Sequence, residues 1–166
     1  MHRILFVCLG NICRSPLAEG VLRRLSSRRG LSRHFVADSA GTHAQSHAGQ
    51  RPDPRAIQVA TLRGYNGLNK HKARALTEKD LEKFDRIVAM DSNNLAHLRK
   101  ICPPQFQHKL HLLLEFAEPQ ISPDIPDPYY GSVEGFERVL DLCEAGVAGL
   151  IDFCMRQPSG QAAQTR

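Results

Sequence analysis

Short apolar runs alternate with amphipathic stretches along the whole chain. The apolar runs have the length and the β-branched content of buried strands. Between them, apolar residues recur every three or four positions, which is the spacing of a helix with one buried face. The predicted strands are Arg3–Cys8, His34–Ser39, Arg86–Met90 and Leu110–Leu114. The predicted helices are Pro16–Arg29, Pro54–Arg63, Thr77–Lys83, Ser92–Ile101 and Ser132–Met155. The fourth of these begins at either Asp91 or Ser92.

This order of elements predicts the fold class. Strands that alternate with helices form parallel sheets covered on both faces. We therefore expect an α/β fold with three layers in a single domain, since the 166 residues contain no internal repeat. The domain is predicted to span residues 1–156, and residues 157–166 are expected to be a disordered tail. Ligands in such folds bind beyond the carboxyl ends of the strands, a location that directs attention to the segment after Cys8.

Composition narrows the possible function classes. No apolar run reaches the roughly 20 residues that span a membrane, and the N-terminus lacks a signal-peptide cleavage site. We therefore expect a cytoplasmic protein with no membrane partner. The five cysteines are odd in number and form no C-x-x-C pair, so the sequence suggests neither a zinc site nor a disulfide framework. No metal or cofactor is predicted, because no convincing metal set is found among His2, His34, His43, His47, His97, His108 and His111.

The chain is basic, with a net charge of +5. Arginines crowd the stretch Leu22–His34, but no aromatic side chains alternate with them as they do in a nucleic-acid platform. We interpret this stretch as an exposed helix face followed by the helix end, where cations complement the helix dipole. We expect no nucleic-acid partner.

The segment FVCLGNICRSPLAEG, Phe6–Gly20, joins a strand to a helix by a very short turn. Such a turn leaves backbone N–H groups without partners, and a curled turn points them inward as an anion nest. Gly10 and Asn11 are the residues best able to adopt unusual backbone angles there. Arg14 offers a planar fork that matches phosphate oxygens. The turn is therefore predicted to hold a tetrahedral dianion, with phosphate-binding residues Leu9, Gly10, Asn11, Ile12, Cys13 and Ser15.

Cys8 is predicted to lie at the bottom of this cradle. A helix N-terminus and a nearby arginine favour the nucleophilic thiolate form of a cysteine. The thiolate then attacks phosphorus and forms a phosphocysteine intermediate, which Ser15 helps to release by stabilising the departing thiolate. The alternative is that Cys8 is a small buried hydrophobic residue, as most cysteines are. Its place after an apolar strand and before a helix, with Ser15 as cap and Pro16 at the first position, favours catalysis.

At this segment the chain resembles the low-molecular-weight protein tyrosine phosphatases, whose phosphate-binding loop VCLGNICRSPLAEG matches almost letter for letter. Further matching motifs are DSAGT, RPDPRA, HKARAL, DRIVAMD and PDPYYG, and the resemblance covers about Arg3–Phe153. It implies a four-stranded parallel sheet flanked by helices. It also implies metal-free hydrolysis of phosphotyrosine in a protein or peptide, with inorganic phosphate or another oxyanion as product or inhibitor. We expect the chain to act as a monomer.

Expelling a tyrosyl oxygen requires a proton donor, because the pKa of a phenol is about 10. The loop PDIPDPYYG offers two carboxyl groups, Asp124 and Asp127. The resemblance implies that Asp127 is the acid and then the base that activates water. Pro128 restricts the backbone of Asp127, which helps to hold its carboxylate in place. The alternative is a turn-forming Asp-Pro pair without a catalytic role.

The resemblance assigns roles to further residues. Tyr129 and Tyr130 line the pocket for a substrate ring and are sites of regulatory phosphorylation in the family, although both also suit a packed aromatic pair. A Cys8–Cys13 disulfide would protect the nucleophile, and the alternative is that Cys13 only packs beneath the loop. The residues that match positions bracing the phosphate loop are Asn11, Ser39, His71 and Asp91.

One loop departs from the family pattern. Many members carry a tryptophan or tyrosine after DSAGT, whereas this chain reads HAQSHAGQ, His43–Gln50. One pocket wall is therefore predicted to be His43, Gln45, Ser46 or His47.

Four other functions are alternatives, and the sequence argues against the first two. A protein arginine phosphatase of the same fold usually has threonine where Ile12 stands and only one aromatic after Asp-Pro. An arsenate reductase needs two further cysteines near the third strand, and Leu76–Ile101 contains none. A phosphotyrosine-binding module would bind without turnover, and a nucleic-acid-binding protein would show affinity that falls steeply with salt.

Overall fold

The computed structural model describes residues 1–120 and 122–157. Its strands are β1 His2–Cys8, β2 Phe35–Gly41, β3 Arg86–Ala89 and β4 Leu110–Leu112. Its α-helices are α1 Arg14–Arg28, α2 Pro54–Leu62, α3 Glu78–Lys83, α4 Ser92–Ile101 and α5 Val133–Arg156. The predicted tail, residues 157–166, lies outside the described residues except for Gln157.

The four strands form one parallel sheet in the order β2-β1-β3-β4. The register pairs Cys8 with Gly41 on one side of β1, and Val7 with Ala89 on the other. The prediction of a four-stranded parallel sheet is confirmed. Because β1 has a neighbour on each side, the segment that follows Cys8 emerges at the middle of the sheet edge.

Each face of the sheet carries its own core. Ile4 and Phe6 of β1 belong to a core shared with α1, α2 and α5, and Leu5 and Val7 belong to a second core shared with α3 and α4. This division follows from the two-residue period of a strand, which points successive side chains to opposite faces. The prediction of helices on both faces is therefore confirmed.

Several predicted boundaries are wrong by one or two residues, and two of them concern the site and the core. Helix α1 begins at Arg14 rather than at Pro16, so Ser15 lies inside the helix and is not its cap. The Ser15 hydroxyl instead lies within hydrogen-bond distance of Cys8 and Asn11. Strand β4 ends at Leu112 rather than at Leu114, because the chain turns into a short 3₁₀ helix, Leu113–Phe116, whose leucines are buried in the core with α5.

Candidate active site

The loop after β1 turns its carbonyl groups outward. The carbonyl oxygen of Cys8 accepts a hydrogen bond from the Thr42 N–H at 2.9 Å, that of Leu9 from His43 at 2.8 Å, and that of Ile12 from Asp53 at 2.8 Å. In the described part of the chain, the backbone N–H groups of residues 9–14 donate to no acceptor. A curled loop whose carbonyls face out and whose amides lack partners is the geometry of an anion nest, with helix α1 starting at Arg14.

Asn11 holds the curl in place. Its φ of 58° lies in the left-handed region, which asparagine tolerates better than most residues. Its Oδ1 accepts from the Arg74 backbone N–H at 3.0 Å and faces Nε2 of His71 at 3.1 Å. Because the Arg74 N–H is a donor, it fixes which end of the amide is oxygen, and His71 Nε2 must then carry a proton. Asn11 and His71 therefore brace the loop.

The end of β2 approaches the loop closely. A Cβ atom on Gly41 would lie 2.6 Å from the Leu9 carbonyl oxygen and 3.0 Å from the Asn11 nitrogen. Real Cβ atoms do not come this close to backbone atoms, so only glycine permits the contact. The glycine of the DSAGT motif thus lets β2 support the loop from behind.

A chain of hydrogen bonds runs behind the loop. Glu19, only 7% exposed, accepts from the Ser39 hydroxyl at 2.6 Å. The Ser39 hydroxyl proton is therefore used in the bond to Glu19. The Ser39 hydroxyl oxygen in turn accepts a hydrogen bond from Asn11 Nδ2 at 3.0 Å. The second Nδ2 proton of Asn11 goes to the Ser15 hydroxyl oxygen at 2.8 Å.

The last member of this chain is Cys8. The Ser15 hydroxyl still has its own proton, and its oxygen lies 3.0 Å from Cys8 Sγ. Because the Arg74 N–H fixes Asn11 Nδ2 as the donor to the Ser15 oxygen, the Ser15 hydroxyl is left as a donor toward the sulfur, and the Glu19 carboxylate accepts the Ser39 proton at the other end. Such a donor favours the thiolate. Glu19 was missed from the sequence because its partner Ser39 is 20 positions away, and only its burial in an amphipathic helix signals a role.

Arg14 is buried behind the loop, with 2% of its surface exposed. Its Nη1 donates to Asp91 Oδ2 at 2.5 Å and to the Ile125 carbonyl at 3.0 Å, and its Nη2 lies 3.7 Å from Asp127 Oδ2. Asp91 also accepts from the Asn94 N–H and so caps α4. The guanidinium is thereby fixed in one orientation, as a phosphate clamp requires.

The pKa of Arg14 is raised by its surroundings. Burial by itself would lower the pKa, but the negative charge of Cys8 and the hydrogen bond to Asp91 outweigh it. Arg14 is therefore a permanent cation facing the nest.

The two carboxyl groups of the proline-rich loop have different surroundings. Asp124 Oδ1 accepts from the backbone N–H and the hydroxyl of Ser92, at 2.7 and 2.6 Å, so it is held at the start of α4. Among the described residues, Asp127 accepts only from the Tyr129 N–H at 3.1 Å, and its side chain is 41% exposed where it lines the pocket. The geometry therefore favours Asp127 over Asp124 as the proton donor.

Arg55 ties this loop to α2, a role the sequence did not reveal. Its side chain donates to the carbonyl oxygens of Tyr129 and Gly131 at 2.8 and 2.7 Å, and to Asp53. The guanidinium also lies 4.5 Å from the centre of the Phe136 ring. The only available signal was the RPDPRA motif, because the partners lie more than 70 positions apart.

The pocket above the nest has a volume of about 200 Å³. Of the four predicted wall residues, His47 lines it, and its ring packs over Gly10 and bonds Gln50. Tyr129 and Tyr130 form the opposite rim, with ring centres 4.9 Å apart and an edge-to-face arrangement. The predicted residues that line the pocket are Cys8, Leu9, Gly10, Ile12, Cys13, Arg14, Asp127, Tyr129 and Tyr130. Asn11, Ser15, Ser39, His71 and Asp91 support it from behind.

The other thiols differ from Cys8 in their surroundings. Burial raises the pKa values of Cys13, Cys102, Cys143 and Cys154, so these thiols stay protonated. All five cysteines are unpaired in the structure.

Within residues 1–120 and 122–157, no three His, Cys, Asp or Glu side chains form a group that could hold a metal ion. None of the helices in these residues combines the length and apolarity needed to cross a membrane.

Comparison with known proteins places this geometry in a family context. The family model for the low molecular weight phosphotyrosine protein phosphatases matches residues 3–159. The phosphatase of that name from Schizosaccharomyces pombe is 46% identical over 135 residues, covering 81% of this chain and 85% of the relative. A low molecular weight protein-tyrosine-phosphatase from Streptomyces coelicolor is 40% identical over 165 residues, covering 98% and 99%. A crystal structure of a protein tyrosine phosphatase from Entamoeba histolytica is similar with a TM-score of 0.89 and 38% identity, covering 94% of this chain and 98% of that one.

Proposed function

This chain belongs to the low molecular weight phosphotyrosine protein phosphatase family, and we propose that Cys8, Arg14 and Asp127 carry its phosphatase reaction. The family consists of cysteine-dependent hydrolases whose substrates are phosphoproteins. The observation that carries the assignment is the convergence of three features on one pocket. These are the Cys8 sulfur beneath a nest of unpartnered amides, the buried Arg14 guanidinium, and the exposed Asp127 carboxyl group.

Binding places the phosphoryl group in the nest. The amides of residues 9–14 donate to its oxygens, and the Arg14 fork binds two of them. These donors are already oriented before the substrate arrives, so they cost no reorganisation as charge develops in the transition state. The phosphotyrosine ring then lies between His47 and the Tyr129–Tyr130 rim.

In the first chemical step, the Cys8 thiolate attacks phosphorus opposite the tyrosyl oxygen. The S–P bond forms, the P–O bond to tyrosine breaks, and Asp127 transfers its proton to the departing phenolate oxygen. The products are a phosphocysteine and a neutral tyrosine side chain. Asp127 is left as a carboxylate at the pocket mouth, where solvent reaches it.

In the second step, the same carboxylate removes a proton from a water molecule. The water oxygen attacks phosphorus, the S–P bond breaks, and inorganic phosphate leaves. Cys8 departs as a thiolate that the Ser15 hydroxyl stabilises as a hydrogen-bond donor. The hydrogen bond from Asn11 makes Ser15 a positioning residue for both steps.

The residues of the pocket favour an aryl phosphate. Ile12 stands where the arginine phosphatases usually have threonine, and the two adjacent tyrosines provide a wide aromatic rim. His47 replaces the usual aromatic wall, so the opposite side of the pocket contacts the substrate ring with an imidazole. We infer a phosphotyrosine side chain as the preferred substrate.

We further infer that residues 1–156 form one domain that acts as a monomer in the cytoplasm. Two observations support this inference: the site is complete within one chain, and all five cysteines are unpaired.

Phosphate release tests the proposed residues. We expect the wild type to release phosphate from a phosphotyrosine peptide in EDTA, and faster than from a phosphoarginine peptide. Cys8→Ser should lower turnover by at least about four orders of magnitude while still binding inorganic phosphate. Cys102→Ser, the same change at a buried cysteine outside the pocket, should retain most of the activity.

Three results would contradict the proposal. Full activity of Cys8→Ser would exclude the nucleophile. A preference for the phosphoarginine peptide would overturn the substrate. Stoichiometric peptide binding without phosphate release by the wild type would mean a binding module.

A further inference from the structure

A second cavity, larger than the pocket above the nest, lies outside the active site. It has a volume of about 530 Å³ and runs between one face of α1 and the turn formed by residues 64–71. From α1 it is lined by residues that include Glu19, Gly20, Arg23 and Arg24, and from the turn by Lys70 and His71. A cavity of this size accommodates a small organic molecule.

The cavity gives a structural setting to part of the arginine-rich stretch. Its α1 residues recur at the three- and four-residue spacing of one helix face, so their side chains point to the same side. Arg28 lies close to the far end, since its Nη2 is 3.8 Å from where a Cβ of Gly64 would be. Arg24 and Arg28, four residues apart, are neighbours on the helix surface.

Some of these cations are neutralised and others are not. Arg23 pairs with Glu19 at 2.6 Å and donates to the Ala37 carbonyl. For Arg24, Arg28 and Lys70, no carboxylate of the described residues lies within 4.0 Å. The single carboxylate on the floor, Glu19, already faces Arg23, Ser39 and His71. The cavity therefore presents an excess of positive charge.

We propose that this cavity is a binding site for a small polyphosphate anion, one that presents two or more phosphate groups. Unpaired cations lie on both walls, Arg24 on the helix and Lys70 on the turn, so a ligand with several separated anionic groups satisfies them better than a single phosphate. The concave shape and limited volume select a small molecule over the extended backbone of a nucleic acid.

The site lies directly behind the catalytic loop. Glu19 and His71 form part of its lining, and the same two residues begin the bracing of Asn11. The cavity and the pocket above Cys8 nevertheless share no lining residue, so the two sites can be tested separately.

The proposal is tested by calorimetric titration of the protein with tripolyphosphate. The buffer contains enough inorganic phosphate to occupy the catalytic loop. We expect one bound tripolyphosphate per chain, with an affinity that falls as salt is added. The double variant Arg24→Gln/Lys70→Gln should weaken binding at least about tenfold, because it removes two charge-assisted contacts. The control Arg99→Gln/Lys100→Gln removes the same charge from exposed positions on α4 and should bind like the wild type.

Three outcomes overturn the proposal. The first is no binding by the wild type. The second is equal affinity of both double variants, which would place tripolyphosphate in the catalytic loop or on the general basic surface. The third is binding of a duplex oligonucleotide, dependent on Arg24 and Lys70, without binding of tripolyphosphate. The phosphatase activity of Arg24→Gln/Lys70→Gln is measured separately, as phosphate release from the phosphotyrosine peptide. A failure of this site is thereby distinguished from a failure of the proposed function.

Discussion

The two segments that carry the reaction are held in different ways. In the catalytic loop, Cys8 and Arg14 are each 2% exposed. In the acid loop, residues 124–131, the Asp127 side chain is 41% exposed and Tyr130 is 95% exposed. The catalytic loop therefore lies at the edge of the core, and the acid loop lies at the surface.

The number of supports differs as well. Segments around Thr42, Asp53, Arg74 and Asp91 all bond the catalytic loop or its arginine. The acid loop is held chiefly by hydrogen bonds from the Arg55 side chain, from the Ile125 N–H to the Met90 carbonyl oxygen, and from Ser92 to the Asp124 carboxylate.

This difference matches two chemical tasks. The loop that stabilises charge must be fixed before the substrate arrives, because reorganisation during the reaction would cost rate. The group that moves protons must meet a bulky leaving group and then a water molecule, so it needs access rather than burial. We therefore expect small changes in the catalytic loop to lower kcat more than larger changes in the acid loop.

The largest effect after removal of the nucleophile is expected for Arg14→Lys. The charge stays, but the planar fork and its bonds to Asp91 and Ile125 are lost. We expect kcat for a phosphotyrosine peptide to fall about a thousandfold, and phosphate inhibition to weaken. Arg63→Lys, a paired arginine away from the pocket, is the control. A loss below about tenfold would mean that positive charge alone suffices.

Asp127→Ala is expected to lower kcat less than Arg14→Lys does. Its kcat for a phosphotyrosine peptide should fall about a hundredfold, because general acid catalysis is lost. The loss should be much smaller for an aryl phosphate whose phenol is acidic, since that leaving group needs no proton. Asp124→Ala is the matched control in the same loop. Equal losses of Asp127→Ala on both substrates would show that Asp127 is not the acid.

Glu19→Gln tests whether the buried charge at the end of the bracing hydrogen bonds matters. Asn11 stays fixed by the Arg74 N–H and Ser15 still donates to Cys8, but the bond from Ser39 is no longer charge-assisted, so the brace on Asn11 is weaker. We expect kcat to fall about tenfold, with KM and phosphate binding nearly unchanged. Arg23→Gln removes another partner of Glu19 and should retain wild-type kcat. An unchanged kcat in Glu19→Gln would show that the charge of Glu19 does not support the catalytic loop.

The smallest effect concerns stability at the base of the acid loop. The hydrogen bonds from Arg55 lower the pKa of Asp53 in the folded protein. The ionised form therefore stabilises the fold fully above the unfolded pKa of about 3.9, and this contribution is lost as the pH falls through the folded pKa. Asp53→Asn should lower the free energy of unfolding at pH 7, because the charge-assisted bonds to Arg55 are lost.

The pH dependence distinguishes this effect from a general defect. The difference between wild type and Asp53→Asn should shrink below about pH 4, as measured by thermal unfolding. Asp152→Asn, which breaks an exposed ion pair with Arg29, should have little effect at any pH. A cost of Asp53→Asn that is constant with pH would contradict the assignment to the ion pair.

The sequence was most informative where function depends on neighbouring residues. The Cys8–Arg14 spacing, the preceding apolar run and the following helix predict the nest without any long-range information. The uninterrupted apolar run of β1, Ile4–Cys8, likewise predicts a strand buried on both faces. The assignment of Asp127 required the family resemblance, because Asp124 satisfies the same local pattern.

Long-range contacts were not predictable in the same way. Arg55 holds Tyr129 across 74 positions, and Glu19 holds Ser39 across 20, so no local pattern marks either pair. The predicted cap at Ser15 was wrong because its hydroxyl bonds a loop that closes only in the folded chain. His47 was one of four possible wall residues, and only the backbone path of its loop selects it.

The covalent intermediate tests the central claim most directly. Asp127→Ala, mixed with an aryl phosphate that has an acidic phenol, can complete the first step but lacks the base for the second. Acid-quenched samples analysed by mass spectrometry should carry one phosphoryl group per chain, and peptide mapping should place it on Cys8. Absence of an adduct during turnover, or a phosphoryl group on another residue in its place, would contradict the account.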